Sequence, residues 1–310
     1  MIGPKRFFRL LVKAGKAWVD DYAPSMGAAI SYYTVFSLAP LLVIVIAMAG
    51  AAFGREAVQG MVVAQLAGLI GQEGAKLVQD LIVSASDTDK GLIAGLISLG
   101  VLIVGATTVF AELQSALDRI WHVPEAKKPS GIWAILRARL LSFGLILGLV
   151  FLLMVSLAVS AGVSAFGTWA GSYMPGWEIT LHVINIVISL SIETLLFAMI
   201  YKLMPTVHIA WRDVWVGAFV TALLFEVGKM LIGLYLGKSA VAESFAAAGS
   251  MVVLLAWVYY AAQIFLLGAE FTKVYADERG SHVAAQAMTG TAATAVAGIP
   301  PQVKAQRPPG

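Results

Sequence analysis

The stretch Val214–Gly237, VWVGAFVTALLFEVGKMLIGLYLG, runs apolar for a full bilayer crossing, yet it carries Glu226 and Lys229 near its middle. A charge at the centre of a membrane helix costs about 2.5–3.5 kcal/mol on insertion scales, so such a residue turns toward protein or a water-filled cavity and finds a partner there. The i, i+3 spacing puts these two on one face, within pairing distance. That face also carries Ala218, Ala222, Gly233 and Gly237, whose small side chains admit a neighbouring backbone. Val220, Leu224 and Leu231 fall opposite and suit lipid. The helix is expected to have an inside and an outside.

Composition extends this reading to the whole chain. With 59% hydrophobic and 13% charged residues and a mean hydropathy of +0.85, the sequence is far more apolar than a soluble domain, which is about half apolar and a quarter charged. The expected class is an all-α membrane protein. Zero cysteines exclude disulfides and thiolate metal sites, and no cofactor or metal is predicted. The basic region from Lys5 to Lys16 is not followed by a short apolar core and a cleavage site, so the first apolar segment is expected to stay as a membrane span.

Apolar periodicity predicts a six-transmembrane-helix bundle over residues 23–276, with spans at about 25–53, 91–117, 133–163, 179–203, 214–237 and 250–271. Residues 1–22 set five cations among Phe7, Phe8, Leu10, Leu11, Val12 and Trp18, which suits either a helix lying on an anionic leaflet or a plain basic flank. The first span is rich in hydroxyls, with Ser31, Tyr32, Tyr33 and Ser37 ahead of Pro40. A kink is expected at this proline, which lacks an N–H and crowds the preceding turn. It marks either a broken helix lining a cavity or a curved packing helix. Between spans one and two, residues 56–86 alternate apolar and polar positions at helical spacing, predicting two short amphipathic helices in an extracytoplasmic insertion. A further span hidden here is the alternative.

Three later stretches add polar groups inside the apolar runs. The second span ends with Thr108, Glu112 and Ser115 at helical spacing. The fourth carries His182, Asn185, Ser189 and Glu193 on one narrow stripe, which suggests either a wet interior surface or interhelical hydrogen bonding. On the sixth, Tyr259, Gln263 and Glu270 share one side, and Glu270, beside Lys273 near the span's end, reads as a snorkelling or interfacial carboxylate. Residues 277–310 are a run of Ala, Thr, Gly, Pro and Gln that cannot build a core and are expected to be a disordered tail.

Orientation follows from the cations. One set of flanks, at the two termini and in the 118–139 and 201–213 connections, holds sixteen Lys and Arg, whereas the alternate loops hold Arg55, Lys76, Lys90 and Lys238. The positive-inside rule puts both termini in the cytoplasm. Glu193, Glu226 and Lys229 then lie at similar depth as an intramembrane charged centre, and a lysine that neutralises one carboxylate leaves the other to take a proton or a cation.

Three stretches, AAISYYTVFSLAPLLVIVIAMAGAAFG at 28–54, ELQSALDRIW at 112–121, and the pair VGAFVTALLFEVGKMLIGLYLG and LLAWVYYAAQIFLLGAEFTKVY, carry a resemblance. Together they make the chain, over residues 15–276, resemble the YihY/BrkB family of bacterial inner-membrane proteins. The resemblance implies a six-helix inner-membrane fold, and members have been labelled ribonuclease BN, virulence-associated factors, and transport or envelope-lipid proteins. The nuclease label fits these residues poorly. Metal-dependent hydrolysis needs clustered ligands, and His122, His182, His208 and His282 are dispersed, with no RNA-reading motif. A serine hydrolase lacks its G-x-S-x-G elbow.

The sequence therefore points to a non-enzymatic protein of the bilayer with no nucleic-acid partner. A transporter of an ion, a small solute or an amphipathic lipid would use a polar cavity lined by the residues named above. An envelope assembly or scaffold protein would use the same charges to lock helix register.

Overall fold

The structure is a computed structural model that describes residues 4–86, 91–124, 144, 148, 162, 177–238 and 249–279. Seven helices are described: α1 Pro4–Asp20, α2 Ala23–Phe53, α3 Arg55–Ser86, α4 Gly91–Ile120, α5 Trp177–Leu203, α6 Trp211–Lys238 and α7 Gly249–Arg279. Among the described residues there is no strand. Among the described residues, three helices are long and apolar enough to cross a membrane, over Ala23–Ala51, Ile186–Leu203 and Met251–Arg279. These coincide with the first, fourth and sixth predicted spans. The third predicted span, apart from residues 144, 148 and 162, and the tail beyond Arg279 lie outside the described residues.

Local sequence sets the breaks between helices. Tyr22 takes a left-handed conformation (φ 57°) between α1 and α2, and Pro24 sits in the first turn of α2, where its missing N–H costs nothing. Gly54 (φ 87°) ends α2 with its N–H bonded to the Gly50 carbonyl at 2.9 Å, and α3 starts at the next residue. At the end of α4, His122 is left-handed (φ 49°), and the Val123 N–H returns to the Asp118 carbonyl at 2.9 Å. Asp118 is buried there and accepts from the backbone N–H and the hydroxyl of Thr206 at 2.8 and 3.0 Å. That carboxylate ties the α5–α6 turn to the end of α4.

α2 packs against α3, α4 and α7, α6 lies between α5 and α7, and α1 docks on α7. One apolar core joins α2 to α7, built on residues such as Ile46, Leu117, Ile120, Trp121, Ala198, Ala222 and Leu266. A smaller one seats Leu10 and Ala14 of α1 against Val220, Phe271 and Tyr275.

The structure revises two expectations and decides between the two readings of Pro40. The two short helices read over 56–86 are a single 32-residue helix, α3, which buries Val58 and Val62 in its first half and Ala75, Val78 and Ile82 in its second. α2 runs unbroken through Pro40, whose ring fills the space beside Gly105 of α4, so the proline serves packing and not a broken helix. The exposed stripe of α6 is Trp215, Phe219, Leu223, Val227 and Leu231, one residue per turn. Val220 and Leu224 belong to the core under α1, because a helix docked on α7 also covers that part of α6. In α1, Arg6, Arg9 and Lys13 converge on Glu278 of α7 at 3.2, 3.9 and 3.1 Å, and Lys5 and Lys16 are exposed.

Candidate functional site

α5 and α6 bring the three expected charges together. Lys229 Nζ donates to Glu193 Oε1 at 2.7 Å across the helix pair and to Glu226 Oε1 at 2.8 Å one turn back on its own helix. The side chains are 26%, 19% and 37% exposed respectively, so Glu226 is the open end of the triad and Glu193 the closed one. One ammonium faces two carboxyl groups, and Glu193 Oε2 is buried with no hydrogen bond. With both acids ionised the group carries one negative charge in excess, which a proton or a cation would balance. Phe225 lies under the ammonium, 5.6 Å from ring centroid to Nζ. Ala218 and Ala222 on the inner face of α6 are fully buried, as small residues at a close helix contact should be.

The other expected lining residues do not join this triad. Ser31 and Ser37 are buried, and the Ser31 hydroxyl donates to the Leu255 carbonyl of α7 at 3.1 Å. Tyr32 and Tyr33 are exposed in an edge-to-face pair, with Tyr32 against Phe36 at 4.8 Å between centroids. Among the described residues these rings form an exposed ladder on α2, away from the triad. Ser189 is half-buried one turn before Glu193, while the side chains of His182 and Asn185 lie outside the described residues.

Glu112 lines a separate groove of about 220 Å³ between α2 and α4, with Ser25, Ser115 and Arg119. Arg119, two turns along the same helix, lines the same groove.

Gln263 reaches the start of α2, donating to the Pro24 carbonyl at 3.5 Å, with its amide in the space that Gly27 leaves by lacking a side chain. Tyr259 stays exposed on the same helix. Glu270 is the largest departure from expectation. It is fully buried, because the α1–α2 turn closes over it, and so does not snorkel.

That turn holds a second polar group, which sequence reading left out. Asp21 Oδ1 lies 2.9 Å from His122 Nε2 and Asp21 Oδ2 lies 3.6 Å from Lys273 Nζ. Lys273 in turn lies 3.2 Å from His122 Nδ1, and the Glu270 carboxyl meets that of Asp21. Burial pushes the Asp21 carboxyl up, but the hydrogen bonds to His122 and Glu270 and the Lys273 and His122 charges outweigh it and hold the group below its ordinary value. Asp21 and His122 sit just past helix ends, with no spacing that links them to each other or to α7. The legible signal was Glu270 beside Lys273, which the sequence placed at the membrane surface and not under the α1–α2 turn.

Residues 14–292 match the family described as Virulence factor BrkB. The chain belongs to this family. Among its curated BrkB-family relatives, the UPF0761 membrane protein YihY of Salmonella typhimurium is 29% identical over 60% of this chain and 60% of its own length. A UPF0761 membrane protein of Ralstonia nicotianae is 26% identical over 81% of this chain and 55% of its own length, and one of Pseudomonas paraeruginosa is 27% identical over 81% and 59%. The chain thus spans a little over half the length of these relatives, all named as membrane proteins. No solved structure matches.

Proposed function

We propose that this BrkB-family protein moves an ion, a small solute or an amphipathic lipid across the bacterial inner membrane, with Glu193, Glu226 and Lys229 as the charged centre of its path. In this reading it has six spans, with both termini in the cytoplasm and α3 on the extracytoplasmic side. It works without a cofactor and without nucleic acid, and it is not an enzyme.

One observation carries the reading. Lys229 bridges carboxylates from two helices and still leaves a buried Glu193 oxygen without a donor. A purely structural ion pair needs one acid per base. The surplus acid is what a binding step for a proton, a metal cation or a headgroup amine would use.

A second reading also has support. The ammonium is held at hydrogen-bond distance by both acids, which is what an envelope scaffold with locked helix register would need. Proteoliposomes separate the two. Transport predicts that Glu193→Gln and Glu226→Gln leave the protein inserted and folded while abolishing proton-, ion- or lipid-dependent flux seen with the unaltered protein. The scaffold predicts no flux from the unaltered protein and loss of folding in the variants.

A further inference from the structure

The group at the α1–α2 turn has an imbalance of its own, separate from the α5–α6 triad and independent of whether the protein transports anything. Glu270 is fully buried and neither of its oxygens accepts a hydrogen bond from an N–H or a neutral O–H. Asp21 Oδ2 is buried without a hydrogen bond as well. Yet the two carboxyl groups lie within hydrogen-bonding reach of each other.

Two ionised carboxylates have no donor between them and repel. The contact becomes a bond only when one of the pair holds a proton. Charge balance agrees, because Lys273 supplies one ammonium at the site, and Asp20 adds a further negative charge nearby. His122 is already engaged with Asp21 Oδ1 and with Lys273. The groups facing Glu270 are thus Asp20 at the end of α1, Asp21 in the turn after it and Lys273 of α7, with His122, just past α4, held by Asp21 and Lys273. Asp21, which accepts from His122 and faces Lys273, is the ionised member.

We propose that Glu270 and Asp21 form a proton-binding site, in which the Glu270 carboxyl holds one proton and donates it to Asp21 Oδ2. The bond fastens the α1–α2 turn to α7. Loss of the proton would put two buried negative charges opposite one lysine, and the turn would have to open to let water reach Glu270. The site is therefore a latch that a proton closes and that alkaline pH releases.

Infrared spectroscopy of the full chain in lipid nanodiscs tests this directly. A protonated, buried carboxyl gives a C=O stretch distinct from the carboxylate bands. The expected spectrum shows this band at neutral pH, and the band disappears on alkaline titration. Its Glu270 contribution, read as the difference from the unaltered protein, is missing in Glu270→Gln, whose amide replaces the donor and should preserve the fold. Asp21→Asn should shift the band without removing it, because Glu270 keeps its proton but loses an ionised acceptor.

Hydrogen exchange of residues around 20–24 should rise with alkaline pH in the unaltered protein and stay flat in Glu270→Gln. Absence of the band at neutral pH, or a band of equal intensity in the unaltered protein and Glu270→Gln, would overturn the proposal. So would a sodium- or potassium-dependent rise in melting temperature that Glu270→Gln abolishes, since the occupant would then be a metal cation.

Discussion

Lys229 Nζ on α6 stands 2.7 Å from Glu193 Oε1 on α5, and Glu193 is the less exposed of the two acids that the lysine holds. Removing one partner of a fully buried pair costs about 3–5 kcal/mol, and exposed pairs contribute about 0–1. The triad lies between these cases, so Lys229→Met is expected to lose about 1–3 kcal/mol because it strands two acids at once. Glu226→Gln should lose least, since its acid is the most open. A double-mutant cycle of Lys229→Met with Glu193→Gln, read by thermal unfolding in detergent, should show coupling. Additive losses would mean that the pair does not hold α5 to α6.

Close approach of α6 and α7 depends on Gly268. A Cβ added there would meet the side chain of Thr221 and come within 2.6 Å of the Tyr201 hydroxyl, which itself donates to the Phe265 carbonyl at 2.7 Å. Overpacking of this kind costs about 1–3 kcal/mol. Gly268→Ala should therefore destabilise the protein by that amount. Tyr201→Phe should cost about 0.5–1.5 kcal/mol, the usual net value of one hydrogen bond. Combining Gly268→Ala with Thr221→Ser should recover little, because the Oγ atom remains; Thr221→Ala should recover more. Equal melting temperatures for Gly268→Ala and the unaltered protein would show that the helices separate freely.

The sequence made the charged triad readable because its rule is local. Two charges three residues apart in an apolar helix demand a partner, and Glu193 was the one acid at matching depth. Helix positions in α2, α4, α5, α6 and α7 were readable for the same reason, since each is a long apolar run. Other features depend on contacts between distant residues. Nothing near Val220 announces that α1 will cover it, so the lipid-facing stripe of α6 was misplaced. Pro40 predicts a kink from its own chemistry, while Gly105, which receives its ring, lies on another helix. The Asp21, His122, Glu270 and Lys273 group comes from three chain segments that only tertiary packing brings together.

Docking of α1 should depend on its apolar face more than on its charges. Leu10 is fully buried against Phe271 and Tyr275, and truncating such a leucine costs about 2–5 kcal/mol. Arg6, Arg9 and Lys13 are 42%, 63% and 51% exposed where they meet Glu278, so water and salt weaken those pairs. Limited proteolysis should cut within α1 much faster in Leu10→Ala than in Glu278→Gln. Raising the salt concentration should bring the unaltered protein to the rate of Glu278→Gln and no further. A faster cut in Glu278→Gln would make the ion cluster the main fastening.

The α1–α2 turn should respond to acid through Asp21. Its carboxyl sits below the ordinary value of 3.8 in the folded protein, so over the interval between the two values the unfolded chain binds more protons than the folded one. Stability from Asp21 is then fully present above 3.8 and is lost as the pH falls through the lowered folded value. Asp21→Asn removes this contribution and its pH dependence together. The melting temperature of the unaltered protein should exceed that of Asp21→Asn throughout the neutral range, and the gap should close on strong acidification. A gap that stays constant into acid would mean that Asp21 contributes through shape and neutral hydrogen bonding alone, and that its charge does not hold His122 and Lys273 in place.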